Sequence, residues 1–228
     1  MAPGGASYKA DLPHDGTSLF VARPFLISAA LLSVLTLAGC ANDNPLRVVR
    51  SACPAVAIPA YTGETTLFTR PGAMDATDID LVAAITNVRD ACTDTGSELV
   101  TEASFDVLAR RTDTSAARDV SLPWFAVVVR AGDQLVAKQM GQVVVHFEAG
   151  QDRASTSARA RSTVQRSAVT LPEEIERKIT RERKPGDEDA AMDPMAEPDV
   201  RNAVRAASFE VLVGFQLDEA QLAYNATR

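Results

Sequence analysis

Apolar and polar residues alternate at every second position in several segments of the chain. The alternation is unbroken over residues 209–217, and in residues 97–110 the apolar positions are opposed by charged ones. Period-two alternation of this kind is typical of a β-strand with one buried face. Further strand-like segments lie at 54–68, 79–88, 120–130, 134–148 and, less regularly, 153–170. The side chains predicted to face a core are Leu99, Ala103, Phe105, Val107, Ala109, Val143, Val145, Phe147, Phe209, Val211, Val213, Phe215 and Leu217.

About seven short strands separated by turn signals predict a mainly β protein. We expect an immunoglobulin-like antiparallel β-sandwich, with an eight-stranded closed barrel as the alternative. Uneven strand spacing and an interrupting helical segment favour the sandwich. Trp124 is expected in the core, and Pro123 before it indicates that its strand begins at an edge or a bulge.

Helical signals are confined to residues 171–206 and to the C-terminus. Residues 170–173 read Thr-Leu-Pro-Glu, a capping-box pattern, and glutamates precede arginines and lysines along the segment that follows. Residues 218–221 read Asp-Glu-Ala-Gln, a second capping box. We therefore expect a helical insertion at about 171–206 and a short C-terminal helix that lies against the sandwich.

The N-terminal part of the chain has a different pattern. Residues 25–38 are almost entirely apolar and follow Arg23. The run is shorter than the roughly 20 residues that a membrane-spanning helix needs, and it has the length of the apolar region of a signal peptide. Small residues close the run, directly before Cys40.

Leu37-Ala38-Gly39-Cys40 resembles the lipobox of bacterial lipoproteins, which is an aliphatic residue, two small residues and a cysteine. The resemblance implies that residues 37–39 are recognised by a signal peptidase that cleaves before Cys40. It also implies that Cys40 receives a diacylglyceryl group and, in most cases, an acyl chain such as palmitate. Two or three chains meet the requirement of two signals for stable membrane binding. Ala41, where an aspartate would favour the inner membrane of enterobacteria, favours the outer membrane.

The predicted organisation is a signal peptide (1–39), a lipidated N-terminus and tether (40–52), and a sandwich domain (53–228). With Cys40 lipidated, Cys53 and Cys92 remain, and such a pair in an oxidising periplasm predicts a disulfide. It would close a loop of about 40 residues, worth roughly 3–4 kcal/mol in the chain-entropy model. Free thiols and a metal-binding pair are the alternatives, and scarcity of histidine disfavours the second.

Composition and charge limit the classes of partner and of site that the protein can have. A net charge of −7 and an aromatic content of 5% disfavour nucleic acid, which requires a basic surface and stacking side chains. His146 is the one histidine after Cys40, and no nucleophile motif accompanies it, so we expect an exposed histidine. Two acidic clusters lack the spacing of a calcium-binding loop, and they are Asp75, Asp78, Asp80 and Asp187, Glu188, Asp189, Asp193.

A basic run alternates with glutamates in the insertion, and its members are Arg177, Lys178, Arg181, Arg183 and Lys184. This interleaving is typical of an exposed, salt-bridged helix, with contact to anionic lipid headgroups as the alternative.

The chain as a whole resembles uncharacterised alphaproteobacterial lipoproteins, which implies no particular activity. We expect a lipid-anchored protein of the bacterial cell envelope that faces the periplasm, with no cofactor, metal site or catalytic residue identified. Its expected partners are the bilayer, through acylated Cys40, and an envelope protein. The hypothesis is a non-enzymatic binding or assembly module; a carbohydrate or peptidoglycan hydrolase and a lipid carrier are the alternatives.

The lipobox predicts that Cys40→Ser abolishes lipid attachment and processing of the precursor, because the acceptor thiol is lost. Metabolic labelling with a tagged fatty acid, read by gel mobility and membrane fractionation, measures both effects. A Cys40→Ser protein that is still processed and membrane-bound would show that the anchor hypothesis is wrong.

Overall fold

Eight strands and their connections make up the part of the chain that the computed structural model describes, residues 50–70 and 72–227. The strands are β1 (Ala55–Ala57), β2 (Glu64–Phe68), β3 (Ile79–Asp94), β4 (Glu98–Arg111), β5 (Arg118–Arg130), β6 (Gln134–Phe147), β7 (Arg153–Gln165) and β8 (Phe209–Phe215). The helices are α1 (Arg166–Val169), α2 (Glu173–Thr180), α3 (Pro198–Ala206) and α4 (Glu219–Ala226), with short 3₁₀ turns at Ala76–Asp78 and Pro194–Ala196. The predicted signal peptide, with Leu37, Ala38, Gly39 and Cys40, and the tether up to residue 49 lie outside the described residues.

The strands form two four-stranded sheets that pack face to face. Sheet A has the order β1-β8-β5-β6, and sheet B has the order β2-β3-β4-β7. All neighbours are antiparallel except β1 and β8, which run parallel. The chain crosses between sheets after β1, β4, β6 and β7. As a result β4 pairs with β7 and β5 pairs with β8, as strands B–E and C–F do in immunoglobulin domains. The predicted immunoglobulin-like sandwich is thereby confirmed.

The core lies between the sheets and is built from the alternate residues that the sequence pattern selects. All of the predicted inward side chains are buried except Leu217, which is partly buried against the core. The segment 54–68, expected as one strand, forms two, because a turn at residues 59–63 separates β1 from β2. In that turn the Thr62 amide donates to the Pro59 carbonyl, and Tyr61 has a positive φ of 66°.

Trp124 on β5 is in the core, as predicted, and only 5% of it is exposed. Its ring meets Phe105 of sheet B edge-on, with centroids 5.5 Å apart. Directly opposite on β6 stands Gly141, where an added Cβ would overlap the indole at Cζ2 and Cε2. Because only a residue without a side chain leaves this space, the position of Gly141 fixes how the tryptophan packs.

Cys53 and Cys92 form a disulfide, with their Cα atoms 6.1 Å apart, as the cysteine count predicted. The bond joins the segment before β1 of sheet A to β3 of sheet B. Nearby, Arg50 donates hydrogen bonds to the carbonyls of Val169 and Ala207, where α1 and α3 end. Arg50 and Ala52, near the end of the predicted tether, therefore contact the folded domain.

The insertion between β7 and β8 contains α1, α2 and α3. Val169 of α1 belongs to the main core, whereas α2 and α3 pack through a separate small apolar cluster of Leu171, Ile175, Ile179, Val200 and Ala207. The capping box predicted at 170–173 is wrong. Pro172 is the N-cap of α2, without a side-chain hydrogen bond, and the Thr170 hydroxyl donates to the Arg166 carbonyl instead. Thr170 is used in this way because it is the C-terminal cap of α1.

The C-terminal helix is confirmed together with its cap. Asp218 accepts a hydrogen bond from the Gln221 amide, and the Gln221 side chain accepts one from the Asp218 amide. Asn225 of α4 donates to the carbonyls of Tyr61 and Glu64, so the helix lies against β2.

We predict that Gly141→Ala lowers the free energy of unfolding by about 1–3 kcal/mol, because the new methyl group displaces the Trp124 indole. Chemical denaturation measures the loss. Gln142→Ala, at the adjacent exposed position, is the control and should change stability by less than about 0.5 kcal/mol.

The packing explanation is tested further in a Trp124→Phe background, which lacks the indole atoms that the methyl group meets. In that background Gly141→Ala should lower the free energy of unfolding by less than it does in the wild type. An equal loss of unfolding free energy in both backgrounds would contradict the explanation that the methyl group displaces the indole.

Candidate interaction surface

The two sheets differ in what they expose on their outer faces. On sheet B the outward side chains of β7 are arginine, serine and threonine at alternate positions, and they are exposed. Outward residues of β4 include Glu102, Asp106 and Arg110. A polar outer face is the usual pattern for an antiparallel sheet with one buried face. Sheet B thus has the expected surface, apart from Leu108, which is half exposed beside Ala84 and Val82 of β3.

Sheet A has an apolar outer face. Four large apolar side chains of β6 are exposed: Leu135 at 63%, Val136 at 55%, Met140 at 51% and Val144 at 53%. Pairing registers place Phe125 of β5 beside Met140, and Val127 of β5 beside both Lys138 and Leu212 of β8. We call this surface the sheet A face; it comprises Phe125, Val127, Val136, Met140, Val144 and Leu212.

Polar side chains alternate with the apolar ones along β6 and border the sheet A face. The Lys138 ammonium group donates to the Gln216 side chain at 3.0 Å and lies 5.7 Å from the centre of the Phe125 ring. The Ser121 hydroxyl donates to Gln142 at 3.2 Å. An exposed apolar patch with a polar rim is characteristic of a protein–protein interaction site. The face could have been found in the sequence, since Val136, Met140 and Val144 interrupt the polar positions of β6 at a spacing of four.

His146, on the same face near the end of β6, is exposed and held by two carboxylates. Its Nδ1 lies 2.5 Å from an oxygen of Asp119, its partner on β5, and its Nε2 lies 3.2 Å from Glu148. The hydrogen bond to Asp119, followed by that to Glu148, raises the pKa of His146. With both nitrogens directed at carboxylates, the arrangement favours the imidazolium form, whereas a general base needs an unshared ring nitrogen.

The first acidic cluster is engaged by arginines. Asp78 accepts from Arg70 at 2.6 and 3.1 Å, and Asp80 accepts from Arg118 at 3.0 and 3.1 Å. Within residues 50–70 and 72–227, no group of three or more His, Cys, Asp or Glu side chains is placed to hold a metal ion. These carboxylates position loops and strand ends.

The basic run of the insertion forms salt bridges. Arg177 pairs with the interleaved Glu173, as the sequence predicted, but Lys178 and Arg181 do not use the interleaved glutamates. Lys178 donates to Glu197 and Asp199 at 2.8 Å each, and these two bonds raise the pKa of its ammonium group. Arg181 pairs with Asp189 of the second acidic cluster. The partners come from other segments of the insertion, so the basic run stabilises the packing of α2 against them.

A cavity of about 170 Å³ opens between the sheets at the β6–β7 side, where small side chains such as Ala126, Ala137, Ala160 and Ser162 leave space. Ligand pockets usually measure about 300–1,000 Å³. A wider depression of about 720 Å³ lies on the outer face of sheet B, over Leu108 and beside Arg110 and Arg153.

None of the helices among the described residues is long and apolar enough to cross a membrane. Comparisons with family models, with curated proteins and with solved structures found no match to this chain.

The two carboxylates beside His146 predict that its NMR titration has a midpoint above the ordinary value of about 6.5. His146→Gln identifies the resonance, since the chain has one other histidine, His14. Because the pKa is raised in the folded state, the resulting stabilisation is present below about pH 6.5 and is lost as pH rises through the folded-state pKa.

The difference in unfolding free energy between the wild type and His146→Gln should accordingly shrink from about pH 5.5 to pH 9. A midpoint at or below 6.5, or a difference that grows with pH, would contradict the proposed pairing.

Proposed function

We propose that this protein is a membrane-anchored lipoprotein of the bacterial cell envelope whose sandwich works as a non-enzymatic binding or assembly module. The anchor is inferred from the lipobox at residues 37–40, and the outer membrane, with the domain facing the periplasm, from Ala41. The binding role rests on one observation, the apolar outer face of sheet A. We infer that an envelope protein covers this face.

The difference between the outer faces of the two sheets supports an interaction surface on sheet A. Both outer faces belong to one domain and meet the same solvent, yet only sheet A carries several half-exposed large apolar side chains. Full burial of such a side chain is worth about 1.5–3 kcal/mol, so covering the exposed half of Val136, Met140 and Val144 would contribute roughly 1 kcal/mol each. Such a patch commonly marks an interface.

The position of the face suits an anchored protein. Arg50, where the described chain begins, binds the carbonyl of Ala207, and the neighbouring Arg205 donates to Ala131 and Asp133 in the turn that leads into β6. The anchor side of the domain and the first half of β6 therefore share one end of the sandwich. Arg50 is ten residue steps after Cys40, and ten steps of chain reach at most about 36 Å. The sheet A face would therefore bind a partner close to the membrane.

The two alternative functions have less support. A hydrolase needs an available acid or base, whereas His146 is held by Asp119 and Glu148, and Asp78 and Asp80 are held by arginines. A carrier of whole lipids needs an apolar cavity, and the space between the sheets, about 170 Å³, is below the usual size of ligand pockets.

The proposed interface is tested with a photoreactive residue at Leu212, which lies two strands from the free edge of β6. We expect cross-links to another envelope protein in membranes of cells that make the full chain. Thr163, on the outer face of sheet B, is the matched control and should give none. Equal cross-linking from both positions, or none from Leu212, would reject the sheet A face as the interface.

A further inference from the structure

The core is less completely covered beside the first half of β6 than beside the second half. Ala137 and Gln139 pair with Val128 and Ala126, whose side chains point into the core, so they too lie on the core side of sheet A. Both are nevertheless exposed, whereas the inward residues in the second half of the strand are buried. The two sheets therefore leave an opening between the first half of β6 and the end of β7.

A β-bulge in β6 lies at this opening. The pairing register with β5 shifts between Val128 and Val129, which leaves Val136 as the extra residue. A bulge bends the strand that carries it, and bulges are frequent beside functional sites because they redirect neighbouring side chains. The opening thus coincides with the irregularity in the pairing of β5 and β6.

The opening leads into the inter-sheet cavity of about 170 Å³. Small or branched apolar side chains from four strands line its inner part: Ala126 and Val128 of β5, Ala137 of β6, Ala160 of β7 and Val211 of β8. An engineered apolar cavity of about 150 Å³ in another protein stays dry and binds benzene. A space of this size therefore accommodates an apolar group of about six carbon atoms.

The mouth of the cavity is polar. The Arg161 amide of β7 donates to the Gln139 side chain of β6 at 3.3 Å, so this bond joins the two strands at the opening. Lys138 and Arg161 are the charged residues that line the cavity, and no carboxylate of the described residues does so. In a chain of net charge −7, a lining with only cationic charges favours an anionic ligand.

Arg161 is the cation available to such a ligand. The Lys138 ammonium group is bound to Gln216 on the outer face of sheet A. Glu102, which pairs with Arg161 on β4, forms its ion pair with Arg159 at 3.7 Å. The Arg161 side chain is exposed on the edge strand of sheet B, and we find no partner for its guanidinium group among residues 50–70 and 72–227.

We propose that this cavity binds a small aliphatic carboxylate, with a chain of about six carbon atoms inside and the carboxylate at the mouth beside Arg161. The apolar lining matches the chain, the guanidinium group matches the carboxylate, and the volume limits the chain length. The site is separate from the anchor and from the sheet A face, so the proposal goes beyond the binding module and does not depend on it.

A chain-length series tests the volume limit. With the full chain in a steroid detergent, whose rings are too bulky for the cavity, hexanoate should give saturable shifts in the methyl NMR signals of Ala126, Ala137 and Ala160. Burial of one CH₂ group is worth about 0.8 kcal/mol, so the dissociation constant should fall about fourfold per carbon from butanoate to hexanoate. It should then level off near octanoate. Absence of a saturable shift, or a steady gain up to dodecanoate, would overturn the proposal.

Filling the cavity tests its location. Ala137→Leu places a larger side chain at the cavity wall and should weaken hexanoate binding at least about tenfold, because the leucine occupies the space of the chain. Ala91→Leu makes the same exchange at an exposed position of β3, opposite the outward Glu102, and should leave binding unchanged. Undiminished binding by a folded Ala137→Leu protein, or an equal loss in both variants, would overturn this location.

The role of the charge is tested by comparing hexanoate with hexan-1-ol. Arg161→Gln should lower the affinity for hexanoate about two- to fivefold, the range of an exposed ion pair, and should leave that for hexan-1-ol unchanged. Arg159→Gln, two positions away on the same face of β7, is the control and should change neither affinity. Equal loss for both ligands in Arg161→Gln, or equal loss of hexanoate affinity in the two variants, would reject the carboxylate class.

Discussion

The two sheets are held together by the side chains that every second residue of each strand directs between them. A slip of one residue in any strand would exchange its inward and outward sets, so burial of one set fixes the register of the whole sandwich. Trp124 and Gly141 make this constraint stricter, because the indole occupies the space that any side chain at Gly141 would need. The outward set is fixed at the same time. Val136, Met140 and Val144 stay on the surface because Val143, Val145 and Phe147 occupy the core.

Charged groups in this domain mainly hold the backbone in place. Arg111 is 3% exposed and donates to the carbonyls of Ala116, Glu148 and Gln151, which closes the loops at one end of the sandwich. It also stacks on Phe147, with its guanidinium 4.9 Å from the ring centre. Arg50 serves the opposite end in a similar way. These arginines thus satisfy loop and helix carbonyls, and the proposed binding role rests on the apolar face of sheet A instead.

The fold class could be predicted because its signals are local. Alternation over residues 97–110 and 209–217 specifies strands and their buried sides, and the capping box at Asp218 specifies a helix start. Pairing between distant segments could not be predicted, because β1 beside β8 and Asp80 beside Arg118 depend on the assembled sheets. The capping box at Thr170 failed because the end of α1 competes for the same hydroxyl. The sheet A face was missed since apolar residues on a predicted polar face carry no chemical motif.

The disulfide determines how mechanical force travels through the domain. Tension that arrives from the chain before Arg50 reaches Cys53 before it reaches β1. At Cys53 the tension divides, and the covalent branch enters sheet B through Cys92, two residues before the end of the long strand β3. The three-residue strand β1 and all of β2 lie inside the closed loop and are bypassed by that branch. A load between the N-terminal side and a partner held elsewhere on the domain is thus borne by a strand paired along much of its length, which resists shearing better than a short strand resists peeling.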